Sequence, residues 1–252
     1  MLLLTSLIAL ARVPHPADVP AIDSLGAGPL PPLATVHHEG HDDDTLVVLL
    51  PGVLADHHAL AHRGVVQALR DGGLGGDIVA VHAHVGYYAQ RSISERLVED
   101  VLLPARERYD NVWVVGISMG GLGGLLAARD APELVDGLIL LSPWLGRPGA
   151  VAPIHAAGGV DRWTPSAGGP WEHELWAWLQ AEHASGWTSA DVHLGYGHRD
   201  LVVDNHHLLA DALGEESVLR VRGGHAWRTW RWLAREPAPR VGAVAVAEEG
   251  RL

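Results

Sequence analysis

Six short apolar runs recur along the chain: LVVLL (46–50), DIVAV (77–81), NVWVV (111–115), GLILL (137–141), ADVHL (190–194) and SVLRV (217–221). Their apolar residues do not alternate with polar ones, so both faces of each run are expected to be covered. That is the pattern of buried parallel strands. LATVHH (33–38) reads as an additional edge strand. The stretches between the runs carry helical signals. In SISERLVEDVLLPARERY, Ser92 and Glu95 form a capping-box pattern, and Pro104, which has no N–H, is expected to kink or interrupt the helix. DNHHLLADAL (204–213) and AWRTWRWLA (226–234) read as two more helices. Strand alternating with helix predicts an α/β fold, a mostly parallel central sheet flanked by helices and joined by right-handed crossovers.

Residues 143–187 break this rhythm. They hold Trp144, Trp163, Trp171, Trp176, Trp178 and Trp187, with a helical pattern at WEHELWAWLQAEH. We read them as a cap-like insertion in the domain that spans 33–235. Residues 1–32 form an apolar and Pro-rich lead-in, and 236–252 a loose tail of small residues without clear periodicity. No internal repeat is evident.

Composition narrows the class. A chain of 252 residues that is 48% hydrophobic can bury a full core. A net charge of -12 argues against a nucleic-acid partner. The absence of cysteine removes disulfides, thiolate metal sites and a cysteine nucleophile. MLLLTSLIALAR, at the start, is too short to span a bilayer, and no basic residue precedes it, so stable membrane insertion is not expected. The expected location is the cytoplasm, with export or membrane association left open if residues 1–12 belong to a signal. Oligomeric state is open.

The chemistry concentrates where NVWVV meets GISMGGLGGLLAARD, a strand, a sharp turn and a helix with Ser118 at the corner. A serine in that position is held in a strained backbone and exposed above the sheet. Gly116 and Gly120 give the strand and helix room to pass, and Gly121, Gly123 and Gly124 let the helix pack closely. Such a serine needs a base and an orienting acid, in the order serine, acid, histidine. After SVLRV comes RGGHAWRTW, which puts His225 in the loop leaving the last strand. One strand earlier, GYGHRDLVVDNHH places Asp200 in the corresponding loop, with Asp204 as its competitor or as a helix N-cap. An oxyanion would be held by the amide of Met119 and by one from PGVLADHH, that of Val53 or else Leu54.

Other signals are weaker. With seventeen histidines in the chain, most, such as His57, His58, His206 and His207, are expected to be solvated or capping. HHEGHDDD (37–44) could offer metal ligands, but neighbours on a hydrophilic loop seldom preform a site, and no metal is expected. His82 and His84 share one face at a strand end and could contact substrate. Trp144, Trp176 and Trp178 could line an apolar pocket for it, or simply pack.

Taken together, GISMGGLGGLLAARDAPELVDGLILLSP, GHRDLVV and GGHAWRTW resemble α/β-hydrolases, in particular the Putative esterase branch that includes S-formylglutathione hydrolase-like enzymes. The resemblance spans roughly residues 45–235. It implies a Ser118–Asp200–His225 triad with no cofactor, acting on a small-molecule ester. Pro51 stands where many relatives have histidine, and the Trp-rich insertion matches no family pattern, which bears on substrate more than on chemistry. The expected activity is ester hydrolysis through an acyl-enzyme. An acyltransferase, thioesterase or peptidase with the same triad, and a non-catalytic binding protein of this fold, are the alternatives.

Overall fold

The structure, a computed structural model, describes residues 30–53 and 55–236. The apolar segment 1–12, Leu54 and the tail beyond residue 236 lie outside the described residues.

Seven strands form one sheet: β1 (Thr35–His38), β2 (Asp42–Leu50), β3 (Gly76–Val81), β4 (Asn111–Ile117), β5 (Gly137–Leu141), β6 (Asp191–Gly197) and β7 (Val218–Val221). Their order is β1-β3-β2-β4-β5-β6-β7, and β1, antiparallel to β3, is the one strand that runs against the rest. The apolar runs are strands because alternate residues are claimed by opposite cores. In β4, Val112 and Val114 face a cluster shared with the helix Met119–Asp130, while Trp113, Val115 and Ile117 face a second cluster. That second cluster is covered by the helices Val65–Asp71 and Trp227–Arg235. Residues 46–50 of β2 divide in the same way. Neither face is left wet, hence no polar alternation is seen in the sequence.

The Trp-rich segment folds into the helices Pro148–Ala157 and Glu172–Ser185. Its Trp144, Trp163 and Trp176 are buried in the same cluster as the sheet residues. The wholly buried Glu172 carboxylate is held by Arg147, Nε to Oε1 at 2.6 Å and Nη2 to Oε2 at 3.0 Å. No helix among the described residues is long and apolar enough to cross a membrane.

Two local expectations need correction or refinement. Ser92 does occupy the N-cap position of the helix Ile93–Leu97, but its side chain makes no capping bond. Its N–H and hydroxyl both turn back to the carbonyl of Tyr87, at 2.9 and 3.4 Å, because the preceding helix Val85–Ala89 ends there with that acceptor open. Pro104 interrupts the following helix as expected. The missing N–H is accommodated by a π-helical turn, Val98–Leu102, before the helix resumes at Leu103.

Close approach at the β4 corner is severe. A Cβ on Gly116 would fall 2.5 Å from the carbonyl oxygen of Gly120, and one on Gly120 would fall 2.4 Å from that of Leu50. At Gly124 the nearest atom is a Val114 methyl at 3.1 Å, which can give. Gly116→Ala is therefore expected to cost about 3 kcal/mol by urea denaturation, and Gly124→Ala under about 1 kcal/mol, since helix propensity offsets the tight contact. Equal costs would mean that the corner is looser than its backbone distances imply.

Candidate active site

Ser118 joins β4 to the helix Met119–Asp130 with φ 53° and ψ -113°, a conformation that L-residues seldom adopt. Three backbone bonds hold it there. Its N–H donates to Leu141 at 3.0 Å, and its carbonyl accepts from Gly121 at 3.0 Å and from Trp144 at 2.8 Å.

The loops after β6 and β7 are bonded to each other. His198 N–H donates to Val221 at 2.9 Å and Arg199 N–H to Gly223 at 2.8 Å, which carries the parallel pairing past the ends of the strands. The paired loops bring His225 between Ser118 and Asp200. Its Nε2 lies 2.9 Å from Ser118 Oγ, and its Nδ1 lies 3.1 and 3.0 Å from the two Asp200 oxygens. An ionised carboxylate only accepts, so Nδ1 carries the proton and the Nε2 lone pair faces the hydroxyl. The imidazole stands edge-on to Trp230, with ring centres 4.9 Å apart.

The Asp200 side chain is fully shielded from solvent. Burial pushes its pKa up, but the His225 hydrogen bond and charge, helped by His206 and the Val202 N–H, outweigh burial and hold it below the usual carboxylate value. Asp204 is exposed in the first turn of the helix Val203–Leu213. The N-cap there is Val202, so Asp204 does not cap the helix as the sequence suggested. It favours the helix only through its charge near the positive end.

β2 and β4 are neighbours, paired from Thr45↔Asn111 to Leu50↔Gly116, yet the chain leaves β2 for β3 on one side and β4 for β5 on the other. Divergence of this kind opens a crevice beyond the strand ends, where ligands of α/β sheets bind. The loop after β2 crosses it: a Cβ on Gly52 would lie 3.3 Å from Ser118 Cβ. Val53 follows Gly52 in this loop, and Met119 is the first residue of its helix, where the opening N–H groups have no acceptor within the helix.

Of the three tryptophans singled out, Trp144 is buried and bonded through its backbone to Ser118, and Trp178 is half-buried against the core. Trp176 does not fit a substrate-contacting role. It is fully buried and its indole N–H donates to Leu145 at 2.9 Å, so it packs and braces the segment. His82 and His84 sit in a row of imidazoles with His57, whose ring lies 5.0 Å from that of His82. His37 lies against Asp77 at 3.1 Å, and no metal-ligand cluster occurs among the described residues.

His206 corrects the expectation of a solvated or capping side chain. It is fully buried, and its Nε2 lies 3.0 Å from the Pro143 carbonyl oxygen, so Nε2–H is the donor. The N–H of that same peptide unit, on Trp144, donates to Ser118. One peptide plane thus links a buried imidazole to the strained serine. Burial, the largest effect, lowers the His206 pKa to about 4, against the opposing pull of Asp200. The sequence held the cue: His206, Leu209 and Leu213 are three and four residues apart on the apolar face of their helix.

Comparison with known proteins places these features in a family. The model of the family described as Putative esterase matches residues 86–233. No curated protein sequence matches the chain. Among solved structures, a ferulic acid esterase is similar at TM-score 0.58 and 14% identity, over 84% of this chain and 97% of that one. S-formylglutathione hydrolase FrmB of Staphylococcus aureus is similar at TM-score 0.55 and 12% identity, over 85% and 99%. Est1E of Butyrivibrio proteoclasticus is similar at TM-score 0.56 and 13% identity, over 85% and 95%. At these identities the likeness is one of α/β-hydrolase fold.

His206 makes a pH prediction. Its pKa is about 4 in the native chain against an ordinary 6.5, so between these values the unfolded chain holds a proton that the native chain lacks. Stability should therefore fall as pH drops from 6.5 towards 4, with His206 contributing up to about 1.4 kcal/mol per pH unit. In urea unfolding at stepped pH, His206→Gln should show a shallower decline than wild type. Parallel curves would mean that His206 is not the group responsible.

Proposed function

This chain belongs to the Putative esterase family, and from that membership we propose that it is a serine carboxylesterase working through an acyl-enzyme on Ser118. The observation that carries the reading is a single imidazole, 2.9 Å from a strained serine hydroxyl and 3.0 Å from a carboxylate without solvent contact.

In this reading Ser118 Oγ attacks the ester carbonyl while His225 Nε2 takes its proton. The carbonyl oxygen gains the charge and is held by the Met119 and Val53 amides. His225 passes the proton to the departing alkoxide, which leaves as alcohol. Water then attacks the acyl-enzyme, His225 takes a water proton, and the same proton returns to Ser118 as the carboxylic acid departs. Asp200 keeps the imidazole in the tautomer with Nδ1 protonated and balances the positive charge it carries in between. No step needs a cofactor. Trp144 and Trp178 would contact the substrate's apolar part, with His82 and His84 on the rim beyond the oxyanion loop.

Steady-state kinetics on p-nitrophenyl esters test the assignment. Ser118→Ala should lower kcat by about 10⁴–10⁶-fold, and Asp200→Asn by about 10²–10⁴-fold with little change in stability. Asp204→Ala should leave kcat unchanged and cost only a few tenths of a kcal/mol. Loss of activity with Asp204→Ala and not with Asp200→Asn would move the acid. Hydrolysis that survives Ser118→Ala would end the reading.

A further inference from the structure

Among the described residues β7 is the last strand of the sheet, and beside its outer edge lies a cavity of about 950 Å³. Its charged and aromatic walls are His198, Arg199, Arg220, Arg222, Arg228 and Trp232, and among the described residues no carboxylate lines it. This is a positive concavity on a chain of net charge -12. Arg220 is already engaged, with Nε on the Tyr196 hydroxyl at 2.7 Å and Nη1 on Glu215 at 2.5 Å. Arg199, Arg222 and Arg228 are exposed, and among the described residues none of their guanidinium groups has a hydrogen-bond or ion-pair partner. Trp232 is 48% exposed, the one aromatic among the exposed large apolar side chains.

Three like charges gathered around one hollow repel each other unless a counter-charge enters. The planar fork of arginine matches the oxygens of phosphate and carboxylate, and an exposed indole offers a flat face for an apolar ring. We propose that this groove binds a small molecule that carries a phosphate or carboxylate on Arg199, Arg222 and Arg228 and lays a flat apolar group on Trp232. The site is distinct from the serine centre but touches its supports. Arg199 directly precedes Asp200, Gly223 and Gly224 directly precede His225, and the Arg199 N–H donates to Gly223 at 2.8 Å. A bound anion would bridge the outer side of both loops. Binding needs no turnover, so the proposal stands or falls apart from the esterase reading.

Calorimetric titration with phenyl phosphate, inorganic phosphate and benzoate tests it, on wild type and on Ser118→Ala. Saturable binding of phenyl phosphate at one site per chain is expected in both, weakened by added salt. Phenyl phosphate should bind about fivefold tighter than inorganic phosphate, and Trp232→Ala should abolish that margin only. The double variant Arg222→Gln/Arg228→Gln, whose changes are both at exposed positions and should leave melting unaltered, is expected to weaken phenyl phosphate at least about tenfold. Benzoate in place of phenyl phosphate reports which oxyanion the fork prefers, and tight binding of either supports the site. No saturable binding of any of the three, or affinity unchanged in the double variant, would overturn the proposal.

Discussion

The site depends on one backbone constraint, the positive φ of Ser118. A serine with φ 53° is unfavourable by itself and persists only because its surroundings over-determine it. The following helix approaches β4 at Gly116 and the end of β2 at Gly120 so closely that neither can carry a side chain. The bond that its N–H gives to Leu141 and those that its carbonyl accepts from Gly121 and Trp144 then fix both of the serine's backbone polar groups. Because Leu141 and Trp144 bracket the end of β5, the neighbouring strand acts as a splint. His206 extends that splint into the core by holding the carbonyl of the same peptide whose N–H reaches Ser118.

Once the serine is fixed, the remaining parts arrive by sheet topology. The parallel pairing of β6 with β7 continues into their loops, so Asp200 and His225 are set relative to each other by backbone bonds, not by side chains alone. Asp200 is shielded from solvent, where an unpaired carboxylate would be costly. Its bonds to His225 and Val202 make the burial tolerable and align the imidazole. On the other side of the crevice, β2 delivers the Gly52–Val53 turn beside Ser118. In the proposed reading, donors, base and serine would be arranged before any ligand enters, which is the condition under which fixed dipoles lower a barrier.

Much of this was legible in the sequence, and for physical reasons. Strands buried on both faces write themselves as unbroken apolar runs, and the corner at Ser118 demands glycines at fixed spacing. The loops after the last two strands are short, so Asp200 and His225 stood out by position. What stayed hidden depends on tertiary contacts. Ser92 has the capping-box partner in Glu95 but finds the Tyr87 carbonyl first. Trp176 belongs to a Trp-rich stretch that can read as pocket or core, and only packing against Leu145 and the sheet decides for core. His206 was masked by its exposed neighbour His207, although the helical period puts it on the buried side. The groove beside β7 draws its arginines from two loops, a strand and a helix, a convergence that no local pattern records.

The central claim is that His225 activates Ser118 for attack. It is met most directly by a fluorophosphonate probe, which reports nucleophilic reactivity without requiring the true substrate. Intact-mass and peptide mapping should find one adduct per chain, on Ser118, in the wild-type protein. In His225→Ala, with the fold verified by circular dichroism, labelling should fall to background. An adduct on any other residue, or labelling of Ser118 that proceeds equally well without His225, would contradict the account.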